Sequence, residues 1–313
     1  MLCILNEINC LDMKAFNLLA SVTIMALIAS CTNNSQPLQR PEKIKVVNQG
    51  VQIDCIDEGN GDTTLLFVHG WCINKTYWLK QVAKFKKNYR VVAIDLPGFG
   101  KSGKNRTVWN NKNFSADISA TIAQLDLKNV VLIGHSMAGD IIIQAAIDNP
   151  SRVIGLIGVD NLKTVGVKYT PGKKDKEEYE KAVYAIKHDF KNFAVKYVDD
   201  ELLYKTTSAN IRKKVLNDVA NADSVIAAAC LLQDDFDEAS KLVQTRKKIY
   251  LINSDVTPTD TSGFIAKNIP FKITYVHATG HFPMIEKPAE FNSRLEEILE
   301  DLKGSGNIAE SNK

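Results

Sequence analysis

The sequence predicts an α/β protein: a mostly parallel eight-stranded sheet, helices on both of its faces, and a helical block inserted late in the chain. Three observations carry this. Short apolar runs alternate with stretches of helical periodicity, the pattern of strands joined by helical crossovers. Several runs, such as Val130-Val131-Leu132-Ile133, are apolar throughout, as expected of strands covered on both faces. Residues 161–245 then break the alternation with a helical stretch rich in Lys, Asp and Glu before strands resume.

Strands are expected at 43–47, 51–57, 64–68, 90–94, from 130 up to Ser136, and at 154–159, 248–252 and 272–276. Asn48-Gln49-Gly50 marks a hairpin turn between the first two. Helical patterns lie near 77–87 and 116–125, and a third follows Ser136, with Ile141, Ile142, Ala145 and Ala146 apolar and Asn149-Pro150 as its stop. Within the inserted block, Tyr179, Val183, Ile186, Phe190, Phe193 and Tyr197 recur at helical spacing and define one apolar face. Ser208 and Asp223 suit the N-caps of later helices. The block leaves the C-terminal side of a strand, where open α/β sheets bind ligands, so residues 161–245 are expected to cap that end. The core is then 43–160 and 246–303. Its last helix starts at Pro288 and buries Phe291, Leu295, Ile298 and Leu302, and 304–313 is a polar tail.

With 313 residues, 45% hydrophobic and 24% charged, the chain can build a real core. A net charge of +3 is too small to argue for nucleic acid. Residues 15–29 are apolar after Lys14, too short to span a membrane comfortably and suited to the core of a signal peptide covering 1–30. Met13-Lys14 looks the more natural start, which would put 1–12 upstream of it. The stretch ends Ile28-Ala29-Ser30-Cys31, similar to a bacterial lipobox, in which the cysteine carries the lipid. This resemblance implies a lipid anchor at Cys31, membrane association and a place in the cell envelope, with 31–42, containing Pro37 and Pro41, as a tether. Cys55, Cys72 and Cys230 remain, an odd number with no disulfide framework or metal-ligand spacing, and buried free thiols are expected.

Ser136 stands at the apex of a small-residue turn between an apolar strand and a helix. Such a turn pushes a hydroxyl out of the backbone at a helix N-terminus, the geometry of a nucleophile elbow. The pattern Gly134-His135-Ser136-Met137-Ala138 has Ala138 where a glycine is usual. A serine hydroxyl needs a base to take its proton and an acid to orient that base, in the chain order Ser, acid, His. Asp255 follows the strand at 248–252 and His281 follows the strand at 272–276, so both leave the sheet at the edge that holds Ser136. Asp160, also just past a strand end, is the alternative acid, and Asp260 lies further along the loop from Asp255. His277 competes with His281, but Gly280 gives His281 the tight loop that a movable imidazole needs. His69 and His135 suit local turn packing, and His188 lies on the helical pattern of the cap. His277 and His281 lack the glutamate of a zinc helix, so neither a metal nor a cofactor is expected. The backbone N–H groups of Met137 and Trp71 are the candidate oxyanion donors, with their side chains lining the pocket.

Five motifs in order resemble the α/β-hydrolase superfamily, of the cap-bearing esterase and lactonase type. They are Val68-His69-Gly70-Trp71, Asp95-Leu96-Pro97-Gly98-Phe99-Gly100-Lys101-Ser102, Gly134-His135-Ser136-Met137-Ala138-Gly139, Asn253-Ser254-Asp255 and Gly280-His281-Phe282-Pro283. The chain departs from the family at Ala138 and in a shortened acid loop, where G-x-x-D is common. The resemblance covers roughly residues 43–303 and implies an α/β-hydrolase fold. It also implies a serine hydrolase that cleaves a carboxylic ester, lactone or thioester of a small molecule through an acyl-enzyme on Ser136, Asp255 and His281. Proline iminopeptidase, C–C hydrolase and cofactor-free haloperoxidase activities share the fold. A ligand-binding or sensing protein without turnover is the competing class.

Overall fold

A computed structural model describes residues 45–168, 170–233 and 236–304. The leader, lipobox, Cys31 and tether expected at 1–42, and the tail beyond Gly304, lie outside the described residues. Among the described residues, no helix is long and apolar enough to cross a membrane.

The main sheet has seven strands rather than the expected eight. In chain order they are β3 (Cys55–Glu58), β4 (Thr64–Val68), β5 (Arg90–Ile94), β6 (Val130–His135), β7 (Val153–Val159), β8 (Ile249–Ser254) and β9 (Phe271–Val276), in the spatial order β3-β5-β4-β6-β7-β8-β9. Only β3 is antiparallel to its neighbour. The expected first strands form a separate hairpin of β1 (Val46–Asn48) and β2 (Val51–Ile53). The physical reason lies at Asp54, whose N–H donates to Ser102 Oγ at 2.8 Å and takes the residue out of β2 before β3 begins. The hairpin's free edge is then satisfied by a helix, because the Gln124 amide bonds both the N–H and the C=O of Val47. Strands β4 and β6 are buried at every position, which explains their unbroken apolar runs.

The chain runs from β4 to β5 on one side and then crosses to β6 on the other. That reversal opens a crevice at the C-terminal ends of β4 and β6, the usual ligand position of an open α/β sheet. The core helices are α1 (Leu79–Phe85), α2 (Asn111–Gln124) and α3 (Ala138–Asp148). The inserted block contains α4 (Lys173–His188), α5 (Phe190–Tyr197), a π-helical turn Val198–Leu202, α6 (Ala209–Ala220), α7 (Ser224–Leu231) and α8 (Glu238–Thr245). After β8 come α9 (Ser262–Ala266), α10 (Pro283–Glu286) and α11 (Pro288–Gly304), the last burying Phe291, Leu295, Ile298 and Leu302.

One detail of the insertion differs from expectation. The single apolar face is split, because the helix breaks at Asp189 (φ −146°, ψ 48°) and the phase resets: Ile186 and Phe190 are buried, but Tyr179 and Tyr197 are exposed. Helix α8, the last of the inserted block, packs on α3 of the core. Ser208 and Asp223 do cap α6 and α7 by accepting first-turn N–H groups.

The α3–α8 contact brings Asp140 against Glu238. Burial, with the charge of Asp140 behind it, pushes Glu238 up to about 8, and burial pushes Asp140 up to about 6. Both carboxyls hold protons in the folded state that the unfolded chain releases near pH 4. This pair therefore supplies stability that is full below pH 4 and is lost as pH rises towards about 8. The buried His69 and His135 are held down by burial and act in the opposite sense, only at and below their unfolded range near 6.5. Thermal midpoints are thus expected to fall between about pH 6.5 and 8, and Glu238→Gln to flatten that fall, in calorimetry across the range.

Candidate active site

Ser136 follows the last residue of β6 and has φ +52°, a left-handed conformation that costs a non-glycine residue about 1–2 kcal/mol. Three hydrogen bonds hold it there. Its N–H donates to Val159 O (3.0 Å), and its carbonyl accepts from Gly139 N–H (2.8 Å) and the Asn161 amide (3.2 Å). Asn161 passes so close to α3 that a Cβ on Gly139 would lie 2.8 Å from its Nδ2. A side chain at 139 would push the Asn161 amide off the Ser136 carbonyl, whereas the methyl of Ala138 is accommodated in full burial.

The Ser136 hydroxyl donates to His281 Nε2 at 2.7 Å. On the other side of the ring, His281 Nδ1 donates to Asp160 Oδ2 at 2.5 Å. A carboxylate can only accept, so Nδ1 carries the proton and Nε2 is free to take one from serine. Asp160, with φ +46°, comes directly off β7, and its side chain is 2% exposed. Its second oxygen, Oδ1, accepts from Ser254 N–H and Ser254 Oγ, each at 2.7 Å, and pairs with Lys163 Nζ at 2.8 Å. Burial alone would raise the Asp160 carboxyl. The hydrogen bond and charge of His281 and the nearby Lys163 outweigh burial and hold it well below the usual carboxylate range.

The structure therefore brings Ser136, His281 and Asp160 together, and it does not bring Asp255 to them. Strand β8 runs on to Ser254, so Asp255 emerges one residue beyond it and turns towards the β9 side. There it accepts from Ala278 N–H and pairs with His277 Nδ1, both at 3.0 Å, with half-exposed side chains. Asp260 lies on the same outer loop, its N–H donating to Lys163 O.

The backbone around His281 is fastened on every side. Its N–H donates to Leu202 O at 2.8 Å, from the π-helical turn of the insertion. Its carbonyl accepts from His135 Nε2 at 2.7 Å. Glu286 accepts the flanking N–H groups of Gly280 (3.1 Å) and Phe282 (3.2 Å), and the Thr207 hydroxyl as well. A Cβ on Gly280 would lie 2.5 Å from Leu202 O, which explains that glycine. Burial, followed by the neighbouring His281, holds His135 down at about 3, so it is a neutral donor here.

The loop after β4 lies against the serine: a Cβ on Gly70 would meet His135 Nδ1 at 2.6 Å and Ser136 Cβ at 2.9 Å. Among the described residues, the backbone N–H groups of Trp71 and Met137 have no backbone partner. The Trp71 ring ties the insertion to the core, its Nε1 donating to Ala227 O at 2.9 Å and its edge meeting Phe190 at 5.7 Å. His69 is buried beneath this loop; Nδ1 donates to Gly70 O and Nε2 accepts from Leu96 N–H. The three remaining cysteines, Cys55, Cys72 and Cys230, are buried free thiols. No group of three or more His, Cys, Asp or Glu side chains suited to a metal occurs among the described residues.

Asn161, Lys163, Glu286 and Leu202 stand outside the sequence motifs, and Ser254 lies within one only as the neighbour of Asp255. Lys163 alone left a trace, as a cation three residues after a candidate acid.

A model of the α/β hydrolase fold matches residues 63–213. The bromoperoxidase from Bacillus anthracis superposes with a TM-score of 0.70 at 21% identity, over 82% of this chain and 98% of its own. A thermophilic esterase from Thermogutta terrifontis gives 0.69 at 21%, over 83% and 97%. The chain has the α/β-hydrolase fold. In sequence it is similar to a hydrolase of Bacillus subtilis, 35% identical over 107 residues, covering 33% of this chain and 39% of that protein. It is also similar to the pimeloyl-[acyl-carrier protein] methyl ester esterase of Wigglesworthia glossinidia brevipalpis, 31% identical over 160 residues, covering 51% of this chain and 60% of that enzyme. The matches thus span less than two thirds of either relative.

Proposed function

We propose that this protein is a serine hydrolase that cleaves carboxylic esters of small molecules through an acyl-enzyme on Ser136, with His281 as base and Asp160 as acid. The observation that carries this is the continuous hydrogen-bond chain Ser136 Oγ–His281–Asp160, with the serine held in a left-handed turn. His281 takes the Ser136 proton as Oγ attacks the acyl carbonyl. The N–H groups of Trp71 and Met137 receive the oxyanion, and the protonated His281 returns its proton to the leaving alcohol. Water then gives a proton to the same imidazole, adds to the acyl carbon and expels Ser136 Oγ, which regains its hydrogen.

An apolar acyl group suits the surroundings of the serine, where Trp71, Met137 and Phe190 contribute apolar surface. A relative whose name specifies a methyl ester favours a small leaving alcohol. A series of p-nitrophenyl esters from acetate to decanoate, with the negatively charged hemisuccinate and a lactone alongside, tests this. Turnover that rises with acyl length supports the reading, and best turnover on a short, charged acyl group contradicts it. For location, the Ile28-Ala29-Ser30-Cys31 stretch supports a lipid anchor on Cys31 at the cell envelope. Cys31→Ser should release the protein from membranes, and a cleaved variant that stays membrane-bound would refute the anchor.

A further inference from the structure

The loop after β7 has an unusual path. Asp160 and Leu162 both take left-handed φ values, +46° and +52°, in a stretch of three residues. Strain of this kind persists only where the surroundings enforce it. Here the enforcement is visible: Asn161 N–H donates to Asn253 Oδ1, Asn253 Nδ2 donates back to Asn161 O, and Lys163 O accepts from Asp260 N–H. The outcome is that the chain curls back on itself and sets the Lys163 ammonium 2.8 Å from Asp160 Oδ1, on the opposite side of the carboxylate from His281. Asp160 is the one ion-pair partner of Lys163 among the described residues.

We propose that Lys163 is a positioning residue of this site, which moderates the negative charge that Asp160 presents to His281 and so keeps His281 available as a base at lower pH. The proposal rests on the hydrolase reading above. A carboxylate beside an imidazole favours the imidazolium, and a cation on that carboxylate opposes it. The groups facing His281 are few. Asp160 lies at Nδ1, Ser136 at Nε2, and the neutral ring of His135 packs at 4.7 Å between centroids. The Glu286 carboxylate is spent on the N–H groups of Gly280 and Phe282. Glu201 joins Asp160, Lys163, Ser254 and His281 around a cavity of about 160 Å³. That cavity keeps the ammonium in reach of water and means that shortening Lys163 removes charge more than packing. The Lys163 side chain is 17% exposed, so its charge is only partly screened.

The test is the pH dependence of Ser136 labelling by a fluorophosphonate, in the full chain and in Lys163→Met, Lys163→Gln and Lys163→Arg. Labelling needs neutral His281, so its rate falls on the acid side. In the methionine and glutamine variants that acid limb is expected to move up by roughly one pH unit, a tenfold loss of rate below it. Lys163→Arg, which keeps the charge, should leave the limb in place. A lysine that only braced the loop would lower the rate equally at every pH. That result, or an unmoved limb in folded variants, overturns the proposal. Should Lys163→Met not fold, Lys163→Gln, which keeps a hydrogen-bond donor, decides. A wild type that is not labelled at Ser136 at any pH overturns the hydrolase reading itself, and this proposal with it.

Discussion

Asp160→Asn is expected to lower ester turnover about 10⁴-fold with the fold intact, whereas Asp255→Asn should change it less than about threefold. The first substitution keeps the shape of the side chain but puts an NH₂ or a neutral carbonyl against His281 Nδ1. The ring can then adopt the wrong tautomer, with Nε2 protonated and unable to accept from Ser136. The loss of charge also removes the partner of the imidazolium that forms in the transition state. Asp255 has no such leverage: it sits on the exposed His277, on the far side of the loop from the serine. Steady-state kinetics of the two variants beside the parent, with circular dichroism to verify folding, checks both halves. Equal losses in the two variants would mean that the acid is not the one in hydrogen-bond contact with His281.

The second large effect is expected at His281. His281→Ala should cost on the order of 10⁶ in kcat, close to the cost of removing the whole triad, because serine without a base is hardly nucleophilic. The substitution should be mild for stability. The backbone bonds to Leu202 O, His135 and Glu286 do not involve the imidazole, so the loop keeps its fastening. A midpoint of unfolding near that of the parent together with lost turnover is the expected pair of results.

Much of this architecture is legible in the sequence. Fully apolar runs read as β4 and β6 because both faces of those strands are covered, and Ser136 and His281 are exposed by the small residues that their turns require. The choice of acid is not legible in the same way. Asp160 and Asp255 each stand just beyond an apolar strand, and β7 and β8 are neighbours, so strand order alone cannot separate them. What separates them is that β8 is two residues longer than its apolar run suggests, through Asn253 and Ser254, which carries Asp255 past the imidazole. Ser254 then becomes a donor to Asp160 rather than a spacer before the acid. The shortened acid loop is the one sequence feature that hinted at this. The split apolar face of the insertion was hidden for a related reason: Asp189 breaks a pattern whose spacing is continuous in the sequence. The hairpin separated from the sheet at Asp54, and its edge is satisfied by the Gln124 amide of α2 rather than by a strand.

An activated Ser136 next to working oxyanion donors should trap an electrophile that mimics the tetrahedral intermediate. Intact-mass analysis after fluorophosphonate treatment, with Ser136→Ala alongside, tests this most directly. A single adduct on the parent and none on the variant is expected. A folded parent that stays unmodified, or an adduct that persists in Ser136→Ala, would contradict it.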